Sequence, residues 1–506
     1  MSSEKLIFYI SNNSIRIEGK IESVLYKKFK KALGYRPEGA FFQMKKSGGD
    51  KWGWDGVIST VCYSRHYCKC PVKKDGTHFP SGLYGKAKNF FIEHSVPCQM
   101  IDTRIPVSRS LDLTMSPDFE IRPYQQEITE KSVIAQRGII RCPTGSGKTS
   151  ISAAIIAKLG VSPFIFYVPS IDLLTQARNE ISKFVLQNGK HLKVGTIGDG
   201  VCDVQDINVM TVQTAVRSLG EKYVKFDDED VIEKNEVLEG KRAEIKDLIM
   251  SAKGYISDEC QVWAAESCQI ISDYSLSAFY RWGQSGTPFR DKGDDILIDA
   301  CFGKVVADVT SSFLIKQGYL VRPHIYFVNI KHPKYNVSSY QKIYEQGIAN
   351  NPYRNNCIAS IAKKFASQGH TVLVLCQHIS HGKILHSLME NSIFLHGVHS
   401  GAQREKHLNK MRAQDAPITV ATVIFDQGID CKPLDTLILA GGGKSKVRAL
   451  QRVGRTLRPY PGKTHSIVVD FNDQCKYLSV HSKKRRKIYS TEPEFEIEDI
   501  EIAQND

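Results

Sequence analysis

The feature that most constrains the fold is a glycine-rich octapeptide, CPTGSGKT, at residues 142–149. A short apolar run, Gly138 to Cys142, precedes it, and apolar residues at helical spacing follow from Ile151 to Leu159. A glycine-rich turn between a strand and a helix is the setting of a phosphate-binding loop, where backbone N–H groups and the helix N-terminus hold phosphates. This segment therefore predicts a nucleotide site in a parallel α/β sheet.

Each residue type in this loop suits one part of a nucleotide. Glycines at 145 and 147 let the backbone approach the phosphates, and the lysine ammonium at 148 reaches the β- and γ-phosphates. Threonine at 149 offers a hydroxyl ligand for Mg²⁺. The general pattern starts with glycine where this chain has Cys142, a small residue that can also begin the turn. The predicted contact set is Thr144, Gly145, Ser146, Gly147, Lys148 and Thr149.

A pair of carboxylates, Asp258 and Glu259, follows the short strand candidate Gly254 to Ser257. Asp258 can hold Mg²⁺ through water, and Glu259 can orient and deprotonate an attacking water molecule. An Asp-Glu pair alone is a common surface feature. About 110 residues after a phosphate loop, it predicts nucleotide hydrolysis.

Strand and helix signals alternate from Pro123 and again from Val321, which predicts two parallel-sheet lobes. Strand candidates lie at 164–168, 371–376, 418–423 and 436–440, and a hinge is expected at 314–323. We expect residues 105–117 to form a linker and 226–250 an exposed helical insertion. The chain ends in a basic run, Lys483 to Lys487, and an acidic tail from Glu492, for which disorder is the expectation and folding of the tail back onto the basic run the alternative. The predicted domains are 1–115, 118–318, 319–475 and a charged tail at 476–506.

The N-terminal region is basic, with 19 Lys and Arg against 10 Asp and Glu in residues 1–117. This surplus predicts a polyanionic partner, most simply nucleic acid, although a generally basic protein would show the same charge. The region offers a strand at Leu6 to Ile10 and a basic helix at Val24 to Ala32, which predict a small α+β domain.

Composition limits the setting of the protein. No apolar stretch is long enough for a membrane span, and the N-terminus is a poor signal peptide. Thirteen cysteines, an odd number, favour reduced thiols in a cytosol. The N-terminal Cys and His residues lack a clean C-x-x-C pair, so buried thiols are the expectation and zinc the alternative. These residues are Cys62, His66, Cys68, Cys70, His78 and Cys98.

Four motifs occur in an order that resembles superfamily 2 helicases: CPTGSGKT, DECQ at 258–261, SGTP at 285–288 and QRVGRTLR at 451–458. The resemblance covers residues 118–475 and implies two RecA-like lobes that hydrolyse ATP. It implies that Arg455 and Arg458 contact the γ-phosphate, because a guanidinium stays charged and holds two phosphate oxygens. It also implies that Gln261, where a histidine is commoner, links the ATP site to the SGTP segment.

The same resemblance assigns further contacts along the chain. The adenine-reading segment would comprise Phe119, Arg122 and Gln125, with the Gln125 amide favouring adenine. Gly428 and Asp430 would contact ribose or an arginine finger. The nucleic-acid backbone would meet Thr211, Gln213 and Thr422, which are also typical helix caps.

Lys51, Trp52 and Trp54 lie in a KWGWDG turn that resembles the small N-terminal domain of UvsW-type phage helicases. The tryptophans could stack on bases at a DNA junction, and core packing is the alternative for at least one of them. We therefore expect an α/β protein with two RecA-like parallel-sheet lobes and a small basic α+β N-terminal domain that binds DNA.

The expected activity is that of an ATP-dependent DNA helicase that remodels branched DNA, with 3′–5′ polarity carried over from the family. The alternatives are an RNA helicase, a duplex translocase like a restriction-enzyme motor, and a binding module with an inactive nucleotide pocket. The expected cofactors are ATP and Mg²⁺. The expected partners are forked, branched or tailed DNA and recombination or replication proteins, for a monomer in a bacterial or phage-infected cytosol.

Overall fold

The computed structural model has two compact units: Met1–Arg141 with Gly147–Asp308, and Cys142–Ser146 with Val309–Asp506. The described residues are 5–37, 40, 56–62, 76–220, 240–289, 293–333, 335, 339–397, 401–422, 431–443 and 445–501. Both units contain a parallel sheet flanked by helices, and the predicted α/β class is confirmed.

The first unit begins with a small α+β domain. Its elements are β1 (Leu6–Ile10), β2 (Ser14–Glu18), α1 (Ser23–Ala32), β3 (Gly34–Tyr35), β4 (Ile58–Ser59), β5 (Thr77–Pro80), α2 (Tyr84–Glu93) and β6 (Cys98–Asp102). Four strands form one mixed sheet in the order β5-β2-β1-β6. Buried phenylalanines hold the helices to it: the rings of Phe29 and Phe91 lie 4.8 Å apart. The predicted strand and basic helix are confirmed.

The eight-stranded sheet of the first RecA-like lobe follows in the same unit. The strands of this lobe are β7 (Leu113–Met115), β8 (Arg137–Arg141), β9 (Phe164–Val168), β10 (Val185–Gln187), β11 (Lys190–His191), β12 (Val194–Gly198), β13 (Val201–Asp203), β14 (Ile207–Thr211), β15 (Gly254–Ser257), β16 (Tyr280–Ser285) and β17 (Val305–Asp308). Three of them, β11-β10-β7, form a separate small sheet, and the other eight form the large sheet. The order of the large sheet is β13-β12-β14-β9-β15-β16-β8-β17, and among its described strands only β13 runs antiparallel. All five residues of β9 are buried, as expected for a strand covered on both faces.

The helices of this lobe pack on both faces of the sheet. They are α3 (Pro123–Ala135), α4 (Lys148–Leu159), α5 (Ile171–Phe184), α6 (Val212–Ser218), α7 (Arg242–Ser251), α8 (Glu266–Tyr274) and α9 (Ile296–Phe302). The predicted exposure of 226–250 is wrong for α7, because Ile245, Leu248 and Ile249 are buried in the lobe core. Residues 226–239 lie outside the described residues.

The N-terminal domain and the first lobe share one hydrophobic core. Ile296, Leu297 and Ala300 of α9 join the cluster built around Phe8 and Phe29. Gly82 lies so close to α9 that a Cβ there would overlap the Asp299 and Ala300 carbonyls. Polar contacts accompany this packing: Arg137 Nη1 donates to Ser81 Oγ at 2.7 Å, and Lys86 pairs with Asp299 at 2.7 Å.

The predicted linker at 105–117 is wrong at its C-terminal end. Leu113–Met115 forms β7, which pairs antiparallel with β10 of the first lobe. Leu113 is buried there, which explains why this short stretch is ordered as a strand.

The second unit is built on a seven-stranded, wholly parallel sheet. Its strands are β18 (Arg322–Lys331), β19 (Val372–Cys376), β20 (Ser392–Leu395), β21 (Ile418–Thr422), β22 (Thr436–Ile438), β23 (His465–Gln474) and β24 (Glu496–Glu501). The order is β20-β21-β19-β22-β23-β18-β24. The strands predicted at 371–376, 418–423 and 436–440 are confirmed with slightly shorter bounds.

In the part of this unit that the structure describes, seven α-helices flank the sheet. They are α10 (Ser311–Lys316), α11 (Tyr340–Tyr344), α12 (Pro352–Ser367), α13 (Ile379–Ser387), α14 (Gly401–Arg412), α15 (Lys446–Thr456) and α16 (Leu478–Tyr489). Within the predicted hinge at 314–323, Leu314 lies buried in α10, and Arg322 is the first residue of β18.

The predicted disorder after residue 476 is wrong for 478–501, which form α16 and the edge strand β24. Charge pairing explains the order. Arg485 donates two hydrogen bonds of 2.8 Å to the buried Asp470 carboxylate, and β24 pairs in parallel with β18. Glu492 accepts hydrogen bonds from the backbone N–H of Ser312 and from its hydroxyl at 2.9 and 2.7 Å, which ties the chain end to α10.

Among the described residues, no helix is both long and apolar enough to span a bilayer. In the same part of the chain, no three His, Cys, Asp or Glu side chains are grouped as metal ligands. The backbones of Cys62 and His78 form an isolated antiparallel β-bridge. His66, Cys68 and Cys70 lie outside the described residues.

Candidate nucleotide-binding site

The phosphate loop connects the end of β8 to the first turn of α4, as the sequence predicts. Gly145 and Gly147 adopt φ values of +85° and +76°, a left-handed region that glycine enters without steric cost. A Cβ at Gly147 would also overlap the Gln125 side-chain amide. Both glycines are therefore required by backbone conformation, and Gly147 by close packing as well.

Gln125 lies against this loop and is 2% exposed. Its Oε1 accepts a hydrogen bond of 3.0 Å from the Arg122 backbone N–H, closing a capping box at the start of α3. The amide predicted to read adenine is thus fixed beside Gly147. Of the other residues in that predicted segment, Phe119 packs its ring on Phe184 at 4.2 Å.

Lys148 and Glu259 face each other across the site. The Lys148 Nζ lies 3.9 Å from Glu259 Oε1, and both side chains are largely buried. A lysine at the N-terminus of a helix, next to fixed carboxylates, forms a site of mixed charge that suits a phosphate chain and a metal ion together. The structure therefore brings together the two segments that the sequence linked only by motif order.

Glu259 holds its position through an unusual backbone. It adopts φ +48° and ψ +53°, the left-handed region, which is strained for a residue with a side chain and is typical of functional sites. Its Oε2 accepts hydrogen bonds from Gln261 Nε2 at 2.7 Å and from Ser285 Oγ at 3.4 Å. Gln261 thus connects to the SGTP segment through Glu259, without the titratable ring of a histidine.

Asp258 lies beside Lys148 and Glu259, with its Oδ1 enclosed and without a hydrogen-bond partner among the described residues. Burial raises the pKa of Asp258 to about 6, opposed by the charge of Lys148. An enclosed carboxylate oxygen with no protein partner fits a site for a metal-bound water. Thr149, the other predicted Mg²⁺ residue, is half-buried in the first turn of α4.

We expect Asp258→Asn to raise the stability of the nucleotide-free protein while abolishing its ATPase activity. Because the folded pKa is raised, the stability associated with the protonated carboxyl is present below about pH 4 and is lost as pH rises through about 6. Asparagine avoids that loss, so the free energy of unfolding should rise by about 1–3 kcal/mol at pH 8. Urea unfolding of the wild type and of Asp258→Asn at pH 4 and pH 8 tests this. If the two proteins differed equally in free energy of unfolding at both pH values, the prediction would be contradicted.

The sequence did not single out Ser152 and Gln284. On α4, the Ser152 Oγ donates a hydrogen bond of 2.9 Å to the buried Gln284 Oε1, which joins the phosphate-loop helix to the end of β16. The only signal in the sequence was the place of Gln284, immediately before the SGTP segment.

The arginine motif lies in the second unit. Arg455 is 9% exposed on α15, and Arg458 follows the end of that helix. The helix end is anchored where Val321 N donates to Leu457 O at 2.8 Å, next to β18. Gly428 and Asp430 lie outside the described residues.

The residues that were predicted to contact nucleic acid lie in different elements of the fold. Thr211 is buried and caps α6, its Oγ1 accepting from the Thr214 N–H at 3.2 Å. Gln213 is half-buried in the first turn of the same helix, and Thr422 is buried at the end of β21. Lys51, Trp52 and Trp54 lie outside the described residues.

Residues 118–290 match the family described as type III restriction enzyme, res subunit, and residues 355–460 match the helicase conserved C-terminal domain. These matches fall on the two lobes that carry the phosphate loop and the arginine motif. The chain is an ATP-dependent helicase of superfamily 2. The helicase therefore uses a nucleotide, and Lys148, Glu259 and Arg455 lie in its matched domains.

Two curated relatives span most of this helicase. The ATP-dependent DNA helicase uvsW of Enterobacteria phage T4 is 25% identical over 466 residues, covering 85% of this chain and 84% of the relative. The DNA 3′–5′ translocase XPB2 of Sulfurisphaera tokodaii is 24% identical over 420 residues, covering 74% of this chain and 86% of the relative.

Solved structures support the two-lobe fold of the helicase. The type ISP restriction-modification enzyme LlaBIII bound to DNA has a TM-score of 0.52 at 17% identity, covering 76% of this chain and 32% of that chain. A fragment of an HsdR subunit of a type I restriction enzyme from Vibrio vulnificus YJ016 has a TM-score of 0.52 at 16% identity, covering 75% and 68%. At these identities the likeness shows the fold alone.

Proposed function

We propose that this helicase acts on DNA and remodels branched substrates such as forks and four-way junctions, moving 3′ to 5′. The observation that carries the proposal is the match to the T4 helicase, which covers 85% of the chain, more than the two lobes alone occupy. The relative's name supports DNA as the substrate, and the XPB2 name supports the polarity. The basic N-terminal domain supplies a surface for branched DNA.

In this proposal the phosphate loop, the acid pair and the arginine motif share the chemistry of ATP hydrolysis. Lys148 binds the β- and γ-phosphates, and Glu259 takes a proton from the attacking water. Arg455 and Arg458 stabilise the charge that develops on the γ-phosphate. Mg²⁺, held by Thr149 and through water by Asp258, would neutralise phosphate charge when bound.

Movement follows from making and losing these γ-phosphate contacts. While ATP is bound, the arginines contact its γ-phosphate, and hydrolysis removes the group that they contact. Alternating grip by Thr211 and Gln213 in one lobe and Thr422 in the other would then advance the helicase along a strand. Such contacts are to the backbone, so they support movement without sequence preference.

The exposed lysines of α1 are our candidates for DNA contacts outside the lobes. Lys27 and Lys31 are one helical turn apart and exposed to solvent. Replacing both by glutamine should weaken binding to forked DNA and reduce the slope of log affinity against log salt concentration by about 1.5–2, the value for two lost phosphate contacts. Fluorescence anisotropy between 50 and 200 mM salt measures this slope.

The matched control replaces Lys363 and Lys364, two exposed lysines of α12 in the second lobe, by glutamine. It removes the same charge from the protein and should leave the slope nearly unchanged. Equal changes in both double variants would show that only net charge matters and would contradict a role for α1.

Side-by-side unwinding of replication forks, four-way junctions and plain tailed duplexes tests the proposed function. We expect the first two substrates to be processed, with no product from the Lys148→Ala variant. An ATPase stimulated by RNA but by none of these DNA substrates would overturn the choice of DNA.

A duplex-DNA translocase is the second candidate, because residues 118–290 match a family described by a restriction-enzyme subunit. Such a motor would displace a third strand from a triplex yet fail to move a four-way junction. The two assays together therefore separate the candidates.

The cellular setting is part of the same proposal. None of the eleven cysteines in the described residues is in a disulfide, which supports a reducing cytosol of a bacterium or an infected host. We propose that the protein works as a monomer with recombination or replication proteins. Sedimentation with and without forked DNA tests the monomer.

A further inference from the structure

A cavity of about 460 Å³ opens in the second unit, at the carboxyl ends of β19 and β22. It has the size of a small-molecule site. Its lining includes Tyr340, Gln377, Gly443, Arg452, Tyr477 and Arg485. Neither Arg455 nor Arg458 is among these described lining residues, so the cavity differs from the ATP site described above.

The strand order of the sheet places this cavity at a position where open α/β sheets bind ligands. The chain leaves β19 towards β20 and β21 on one side of the sheet, whereas it leaves β22 towards β23 on the other side. Neighbouring parallel strands whose connections diverge leave a crevice at their carboxyl ends, where open α/β sheets bind ligands. Gln377 follows β19 and Gly441–Gly443 follow β22, so both arms of the crevice contribute to the cavity.

Aromatic rings form one wall. The Tyr340 ring lies 5.2 Å from the His481 ring and 6.4 Å from the Tyr477 ring, measured between centroids. Tyr340 and Tyr477 are 38% and 37% exposed, unusually high for rings that line a cavity. Rings held together and still open to solvent are suited to stacking on a planar ligand such as a nucleobase.

Positive charge and a rigid glycine turn form the other wall. Arg485 binds Asp470 and also donates to the Gly443 carbonyl at 2.6 Å, which fixes the turn. Gly443 has φ +108°, and a Cβ there would meet open space. Asp470 balances the charge of Arg485, whereas Arg452 adds a second guanidinium and none of the described lining residues is acidic. The Arg452 side of the cavity therefore favours an anionic group.

We propose that this cavity binds a nucleotide, with its base against the Tyr340 and Tyr477 rings and its phosphate beside Arg452. The nucleotide is either free or one unpaired nucleotide of a bound strand. With a strand as the source, the inference rests on the proposed function; with a free nucleotide, it does not.

Two probes, each used with the full chain saturated by a non-hydrolysable ATP analogue, test the proposal. The first is dAMP, followed by saturation-transfer NMR, and the second is a labelled single-stranded 12-mer, followed by anisotropy. We expect Tyr477→Ala and Tyr340→Ala to weaken binding of at least one probe about tenfold, as for loss of one stacked base. Loss for the 12-mer assigns a strand, and loss for dAMP alone assigns a free nucleotide.

The chain offers a close control in Tyr353 on α12, which is 37% exposed like Tyr477 and does not line the cavity. Tyr353→Ala should bind both probes as wild type does, and Tyr477→Phe, which keeps the ring, should do the same. Wild-type binding of both probes by both alanine variants would overturn the proposal. DNA stimulation of the wild-type ATPase is measured in parallel, because its absence would refute the proposed function while the dAMP result still decides the cavity.

Discussion

Arg455→Ala is expected to lower the maximal rate of ATP hydrolysis about 10³- to 10⁵-fold, the contribution of an arginine finger in phosphoryl transfer. Arg455 is buried on α15 within the matched helicase C-terminal domain. Its planar fork would hold oxygens of the γ-phosphate as charge develops on them. Steady-state ATPase assays at saturating ATP and DNA measure the effect.

Arg455→Lys sharpens this test, because lysine keeps the charge but loses the fork. It should recover only a small part of the lost rate. Arg412→Ala on α14 is the matched control, since Arg412 pairs with Glu405 at the surface of the same unit. A surface pair of this kind contributes about 0–1 kcal/mol, so ATPase activity should stay near wild type. Normal turnover by Arg455→Ala would remove Arg455 from catalysis.

Glu259→Gln is expected to lower ATP turnover about 10²- to 10⁴-fold while leaving ATP binding intact, as for loss of a general base. The glutamine oxygen can still accept the hydrogen bonds that Gln261 and Ser285 donate to Glu259. The local fold should therefore survive, and only proton abstraction should be lost. Binding of a fluorescent ATP analogue and single-turnover hydrolysis measure the two properties separately.

Glu244→Gln is the control for this change, because Glu244 pairs with Lys241 on the exposed part of α7. It should hydrolyse ATP at the wild-type rate. If Glu259→Gln lost analogue binding in proportion to turnover, Glu259 would have a structural role in the pocket instead of a role as base.

The sequence was sufficient to predict the elements that carry the nucleotide site. The β8–loop–α4 unit and the acid pair after β15 could be predicted because glycine, lysine and carboxylate positions there are dictated by phosphate chemistry. The left-handed backbone of Glu259 could not be predicted, because no glycine or asparagine marks it. Its strain is maintained by surroundings assembled from several strands.

Predictions based on charge were less successful. Residues around α7 and after 476 were expected to be exposed or disordered because they are rich in charge. In the structure, three apolar residues of α7 enter the core, and Arg485 finds a buried partner in Asp470. Such pairing depends on residues distant in sequence, which no local pattern reveals.

The shared core of the N-terminal domain and the first lobe has a consequence for how the enzyme works on DNA. Removing the first 110 residues would strip the cover from Ile296 and Leu297, so truncation would damage the lobe along with the appendage. Because Arg137 of the lobe donates directly to Ser81, a DNA strand bound by the N-terminal domain would move together with the first lobe. The N-terminal domain is in this sense an extension of the motor itself.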